Sequence, residues 1–359
     1  MSSLHPMNRE NKPWYGHPRF WLLIIILLAG LVYFMGIAHE SIWFDEAFSY
    51  MMASHSPGEM LGLMTTADNH PPLFYLLLSL VMSIFGDSVW ALRLLSVFGA
   101  IGLVSLGAGP VRRTFGNRTA FIYAGVVLFN PVVLIYAHEA RMYSLSSFCV
   151  TASALYGYLA VKYNSRRDWF AFGLASLAVA YLHYYGLMAA FFMHLLIFLW
   201  LLFKKRETLK SYLITAAAVI IGYLPWLVFF YRQVTMVNKG FWIPAATYFQ
   251  APPSLLENRL QLYLIGLGAA LILVIFGLYA LSGAGSIRHL PLLRLGLTGI
   301  SSLFLLRGLF FILSLLTLLG ILKGEILVQG VVSDLVFLAA GITYALGTLL
   351  NWREMRVRR

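Results

Sequence analysis

The sequence predicts an all-α polytopic membrane protein with about ten transmembrane helices, and three observations carry that expectation. Hydrophobic residues make up 60% of the 359 and charged ones 11%. Mean hydropathy is +0.79. The apolar residues come in continuous runs, each bounded by polar or basic residues. Continuous runs suit helices that satisfy their own backbone in lipid, and they argue against an alternating β-barrel. The lone cysteine, Cys149, lies in an apolar run and excludes an internal disulfide. A net charge of +12 raises the question of nucleic acid. The basic residues, however, fall in short clusters between apolar runs, as expected for cytoplasmic loops. Nucleic-acid binding is therefore not expected.

The N-terminal tail, residues 1–19, carries Arg9, Lys12 and Arg19 and is placed in the cytoplasm. The first span, Phe20–Ala38, lacks a small-residue cleavage site after it and is read as a retained helix. It delivers a first outer loop, residues 39–92. Within that loop Ser56-Pro57-Gly58-Glu59 reads as a capping box with proline at the first helical position. Two short interfacial helices are expected there, the second carrying Met60, Leu61, Leu63 and Met64 on its apolar side. Leu73–Phe85 is too short to span and is laid against the outer leaflet. Spans at Leu94–Pro110 and Thr119–Tyr136 then leave Arg112, Arg113 and Arg118 inside. Spans at Tyr143–Val161, Trp169–Leu182, Leu187–Phe203 and Tyr212–Phe230 follow, with Lys162, Arg166, Arg167 and Lys204-Lys205-Arg206 inside. A second long outer loop covers 231–259. Spans at Leu260–Leu281, Leu295–Leu319 and Leu327–Leu350 lead to a basic cytoplasmic tail. Residues 20–281 are read as a catalytic module and 282–359 as a C-terminal helical region. Both termini are cytoplasmic in this reading, and most acids fall on the outer face.

Chemistry is sought on that face. Asp45 and Glu46 are adjacent acids just past the first span, among Ile42, Trp43, Phe44, Ala47 and Phe48. They read either as solvated loop acids or as a functional pair. In the second case an apolar setting raises a carboxyl pKa unless a cation compensates. His138-Glu139-Ala140-Arg141-Met142-Tyr143 emerges on the same face. An arginine there either anchors a helix end or binds phosphate with its planar fork. Arg93, before the second span, reads as a phosphate ligand or as a lipid-headgroup contact. Five histidines, His39, His55, His70, His138 and His183, share the face. A divalent metal on Asp45 and Glu139 with His70 or His138 stays open, although no tight ligand spacing supports it. Arg232 and Lys239, near Gly240-Phe241-Trp242-Ile243-Pro244, could grip a sugar or a lipid phosphate or simply anchor the interface. Arg307 and Asp334 stand inside spans, where they either serve a function or pair with each other.

Several segments, in order, resemble the GT-C type membrane glycosyltransferases. They are Trp43-Phe44-Asp45-Glu46-Ala47, His70-Pro71-Pro72-Leu73-Phe74-Tyr75, Ala91-Leu92-Arg93-Leu94 and His138-Glu139-Ala140-Arg141-Met142-Tyr143. Leu224-Pro225-Trp226 and Gly240-Phe241-Trp242-Ile243-Pro244 add to them. The similarity is to the dolichyl-phosphate-mannose–protein mannosyltransferases and their bacterial relatives, including the lipid A aminoarabinose transferase. It covers roughly residues 20–260; the chain from Ser282 onward carries no motif of this kind. The resemblance implies a GT-C-like bundle, a sugar donor on a polyprenyl phosphate and an extracytoplasmic site in a bacterial plasma membrane. It implies that Asp45 is the catalytic base, with Glu46 as its candidate partner, and that Glu46, His70, Glu139 and Arg141 line the cavity. Arg93, His138, Tyr143, Arg232 and Lys239 are further candidates for binding the substrate or the donor phosphate. The expected reaction is inverting transfer to a hydroxyl or amine of a protein, lipid or glycan. The alternatives are a lipid-linked sugar transporter or flippase, and an inactive scaffold of the same fold.

Overall fold

The computed structural model describes residues 17–239, 259–322 and 328–352, together with Met355. No strand occurs among the described residues. The chain forms two compact units, Met1–Gly240 and Phe241–Arg359.

The first unit opens with α1 (Pro18–Phe34), which starts on a proline whose missing N–H costs nothing at a helix N-terminus. The first loop is built from α2 (Phe44–Ser54) and α3 (Pro57–Leu63). The capping box expected at α3 forms: the Ser56 backbone N–H and hydroxyl both donate to Glu59 Oε2, at 3.1 and 2.6 Å. Next come α4 (Leu73–Phe85), α5 (Val89–Ser105), a π-turn at Gly107–Val111 and α6 (Arg112–Leu128). The unit closes with α7 (Pro131–Ala137), α8 (Tyr143–Tyr163), α9 (Arg166–Leu182), α10 (Tyr184–Lys204) and α11 (Leu209–Lys239).

Among the described residues five helices are long and apolar enough to cross a membrane, against the ten or so expected from the sequence. They are Val89–Leu128, Tyr143–Tyr163, Tyr184–Lys204, Arg206–Met236 and Leu293–Thr317. The first is 40 residues long but is not one straight rod. Gly116 breaks it at φ 85° and ψ 179°, a conformation that residues with a Cβ rarely adopt. Beyond the break Tyr123 donates to the Leu103 carbonyl at 2.9 Å, so α6 folds back along α5. Pro18–Phe34 and Leu73–Phe85 are apolar but shorter.

One close approach positions the site. Gly99 on α5 lies so near α8 that a Cβ added there would stand 2.6 Å from Leu145 N and 2.7 Å from the Ser144 carbonyl carbon. Both neighbours are backbone and cannot rotate away. Gly99→Ala is therefore expected to push α8 off α5, costing about 1–3 kcal/mol or more. Thermal unfolding of the detergent-solubilised protein measures this. An unfolding temperature equal to wild type would show that the two helices are not so closely packed.

The second unit contains α12 (Arg259–Gly283), α13 (Leu293–Leu318) and α14 (Val328–Leu350). Arg307 on α13 pairs with Asp334 on α14, and Ser314 donates to the other Asp334 oxygen at 2.6 Å. The Arg307 guanidinium also lies over Phe310 and Phe337. The sequence leaves a functional role, a mutual pair or a helix break at Arg307-Gly308 open for these charges; the structure shows the mutual pair, on a helix that runs unbroken through Gly308. The helix α12, assigned from sequence to the catalytic module, falls in this second unit.

Candidate active site

The two ends of the first unit differ in chemistry. At one end of α8 and α9, Arg113 holds Asp168 with two bonds of 2.6 and 2.8 Å, and Lys205 donates to the Val161 carbonyl at 2.7 Å. At the other end the loops 35–43, 64–72 and 138–142 converge, bringing acids, histidines and two arginines together.

Glu46 is the hub. It lies in the first turn of α2 and is 0% exposed. Its Oε1 accepts from Arg93 Nε at 2.8 Å and from the Ala140 N–H at 2.7 Å. Its Oε2 accepts from Arg93 Nη2 at 2.8 Å and from the Trp43 N–H at 3.2 Å. The first turn of a helix favours a carboxylate there. Arg93 completes its own set on the carbonyls of Ile37 (2.7 Å), Glu40 (3.1 Å) and Ser41 (3.3 Å). A guanidinium has five N–H donors, so every one of them has a partner in the protein. The phosphate expected from sequence at Arg93 thus finds no free donor. Burial behind the first loop turns this cation into a brace between α1, α2, α5 and the 138–142 loop.

Arg141 is the opposite case. It is 4% exposed, and Nη1 donates only to Ser49 Oγ at 3.2 Å and to the Asp45 carbonyl at 3.4 Å. Its Nε is buried with no partner. Among the described residues it forms no ion pair with a carboxylate. The guanidinium lies 5.9 Å from the centroid of the Tyr143 ring. A buried cation without a counter-ion is costly and is suited to an anionic ligand.

Asp45 precedes Glu46, but the helical step turns it onto a different face. Its side chain is half-buried, and its carboxylate accepts no hydrogen bond among the described residues. Only its backbone carbonyl is engaged, by Ser49 Oγ at 3.0 Å and by Arg141. Glu139 stands nearby, half-buried. Burial, reinforced by the charges of Glu46 and Asp45 against the relief from Arg141 and Arg93, pushes its pKa up from 4.5 to about 7. The folded protein therefore holds this proton more tightly than the unfolded chain. The resulting stability is fully present below about 4.5 and is lost as pH rises through about 7. Glu139→Gln is expected to flatten the fall in unfolding temperature across that window. A slope unchanged from wild type would mean that another group causes it.

The other sequence candidates are placed as follows. His138 bonds the Tyr33 carbonyl through Nε2 at 2.9 Å and so ties α1 to this loop. His70 Nδ1 lies 2.8 Å from Asp68 Oδ1. Its ring meets His183 edge-on at 5.6 Å, and His183 lies 6.0 Å from Tyr143. Burial, then His70 and Arg141, lower the His183 pKa to about 4, so its imidazole is neutral at physiological pH. Arg232 is exposed on α11 and no bond joins its side chain to this cluster among the described residues. The side chain of Lys239 and the segment Gly240–Pro244 lie outside the described residues. Among the described residues no group of three or more His, Cys, Asp or Glu stands close enough together to hold a metal ion.

Four residues at this end carry no site role in the sequence alone: Ser49, Asp68, Tyr75 and Gln233. Ser49 is one helical turn from Asp45, and Gln233 follows Trp226 by two turns on the same face of α11, so periodicity was the available signal. Asp68 and Tyr75 flank the His70-Pro71-Pro72 segment, and only the fold shows that both are buried.

Helices long and apolar enough for a bilayer mark an integral membrane protein, and buried ionisable groups cluster at one end of its first unit. Residues 69–229 match the family model for dolichyl-phosphate-mannose-protein mannosyltransferase, a GT-C type glycosyltransferase family. That match points to membrane glycosyltransferase activity of the mannosyltransferase type. It spans His70, Arg93 and the 138–143 segment, whereas Asp45 and Glu46 lie before it. No curated protein and no solved structure matches the chain.

Proposed function

We propose that the protein is an inverting glycosyltransferase that moves a sugar from a polyprenyl-phosphate donor to a hydroxyl or amine of an extracytoplasmic acceptor. One observation carries the reading: Asp45, whose carboxylate accepts no hydrogen bond among the described residues, shares a site with Arg141, a buried arginine that forms no ion pair among them.

In this reading Asp45 is the general base. The acceptor O–H or N–H gives its proton to the Asp45 carboxylate as the heteroatom attacks the anomeric carbon. The bond between that carbon and the phosphate oxygen breaks, and the polyprenyl phosphate leaves with the electron pair. A phosphate is already a stable anion, so no strong general acid is required. Arg141 offsets the charge growing on it, with Tyr143 beside the guanidinium. A single displacement inverts the anomeric centre. Glu46 and Arg93 act as the brace that sets Asp45 and the 138–142 loop in register. Glu139 and His70 line the same space, and His138 fixes the loop to α1. No step is routed through a metal.

The membrane reading follows the charge distribution. The end bearing Arg113, Lys162, Lys204, Lys205 and Arg206 faces the cytoplasm of a bacterial plasma membrane, and the end bearing Asp45 faces outward. The two short helices α2 and α3, with α4, lie at the outer interface. The helices α12, α13 and α14 of the second unit stand outside the catalytic module.

The reading is tested in membranes with and without the chain, supplied with radiolabelled polyprenyl-phosphate hexoses and pentoses. Label is expected to move from the donor to a chain-dependent product. Movement of intact donor across sealed vesicles without transfer would instead support a flippase. Arg141→Ala is expected to raise the donor KM by roughly 10- to 100-fold, since hydrogen bonds to charged groups contribute about 1.5–3 kcal/mol. A KM equal to wild type would remove Arg141 from the phosphate.

A further inference from the structure

Asp68 is buried, acidic and unused by the mechanism above, and its surroundings are built rather than incidental. Its Oδ1 accepts from the Asn69 N–H and lies on His70 Nδ1, both at 2.8 Å. The backbone on either side is held from a distant helix. Gln233 of α11, 1% exposed, directs its side-chain amide at three carbonyls: Met64 at 2.8 Å, Asp68 at 3.1 Å and His70 at 3.1 Å. The Gln233 carbonyl oxygen in turn accepts from the Tyr184 hydroxyl, and that hydroxyl accepts from the Trp226 indole at 3.0 Å. The relay thus orients its own amide. With Tyr184 donating to Oε1, Nε2 is the end that faces the loop.

A chain of this kind fixes a tautomer. Asp68, as a carboxylate, only accepts, so His70 places its proton on Nδ1. The neutral ring then carries a lone pair on Nε2, the nitrogen with no partner among the described residues. A lone pair accepts from a hydroxyl and does not bind a phosphate oxygen.

We propose that Asp68 and Gln233 are positioning residues that present His70 Nε2 as the acceptor for a sugar hydroxyl of the substrate, leaving the phosphate to Arg141. This deepens the glycosyltransferase reading and rests on it for the identity of the hydroxyl. It also separates two recognition duties within one site, with sugar at the Asp68–His70 side and phosphate at the Arg141 side.

The test uses the full chain in detergent micelles, labelled with 15N-histidine, with the His70 signals assigned by their loss in His70→Gln. At neutral pH the wild type is expected to show His70 neutral with its proton on Nδ1. Asp68→Ala is expected to move that proton to Nε2. An Nε2–H ring or an imidazolium in the wild type overturns the proposal without any variant. Kinetics give the second arm, with the labelled polyprenyl-phosphate sugar that the wild type turns over. Asp68→Ala and Gln233→Ala are each expected to lower kcat by on the order of 10²-fold, as misplacement of a reacting group by about 1 Å does, with donor KM within about threefold. In a His70→Ala background neither change is expected to lower kcat further, because both act through that ring. Additive losses would show that they only support the fold, and would overturn the proposal. If the wild type turns over no such donor, the glycosyltransferase reading falls, while the tautomer measurement still decides the positioning claim.

Discussion

Asp45→Asn is expected to reduce sugar transfer by about 10²- to 10⁴-fold, the range a general base contributes, while the protein stays folded. The argument has two halves. Asparagine has the shape of aspartate but cannot take the proton of an attacking hydroxyl at neutral pH. In the folded chain the Asp45 carboxylate accepts no hydrogen bond among the described residues, so its loss breaks no internal bond. Stability is expected to remain within about 0.5 kcal/mol of wild type, as for substitutions that disturb no buried contact. Initial rates with saturating labelled donor read the first half and thermal unfolding the second. Unchanged transfer would remove Asp45 as the base.

Glu46→Gln, one residue away, is expected to do the reverse and strike stability first. Glu46 is fully buried and accepts four bonds, from Arg93 twice, from Ala140 and from Trp43. Glutamine removes the charge that balances Arg93 and turns one acceptor into a donor facing N–H groups. Breaking one side of a buried ion pair costs about 3–5 kcal/mol. Loss of activity would follow, because the Ala140 N–H anchors the loop that carries Arg141. A double variant, Glu46→Leu with Arg93→Leu, is expected to recover part of the stability lost by Glu46→Leu alone, since no unpaired charge remains. It cannot recover all of it, because Arg93 also serves the Ile37, Glu40 and Ser41 carbonyls. A Glu46→Gln protein that is stable yet inactive would instead put Glu46 in contact with substrate.

These opposite expectations mark how far the sequence reads. Two adjacent acids beside an apolar span are alike in composition, and nothing local separates a base from a brace. The separation comes from α2: successive helical residues point about 100° apart, so the Glu46 carboxylate reaches Arg93 and the Ala140 N–H while that of Asp45 does not. Arg93 and Arg141 show the same limit. Both sit at the end of an apolar run and both were expected to meet phosphate. The fold surrounds Arg93 with five acceptors, whereas Arg141 forms no ion pair with a carboxylate among the described residues. Arg232 stands out in the sequence, because charge is conspicuous in an apolar chain, whereas the amide of Gln233 beside it does not. Only the packing of α11 against the 64–70 loop shows which of the two reaches inward.

The sequence by itself determined the helical class, the capping box at Ser56–Glu59 and the family resemblance later matched over residues 69–229. Those follow from local hydropathy, helix-end chemistry and the order of motifs along the chain, all of which are written in one dimension. The tertiary structure alone decided which charges are paired, which are buried without a partner and which backbone carbonyls are held. Those depend on distances between residues far apart in sequence: Glu46 to Ala140, Arg93 to Ile37, and Gln233 to His70. In a site of so few charges, that pairing is what separates the groups left free for substrate from the groups that hold them in place.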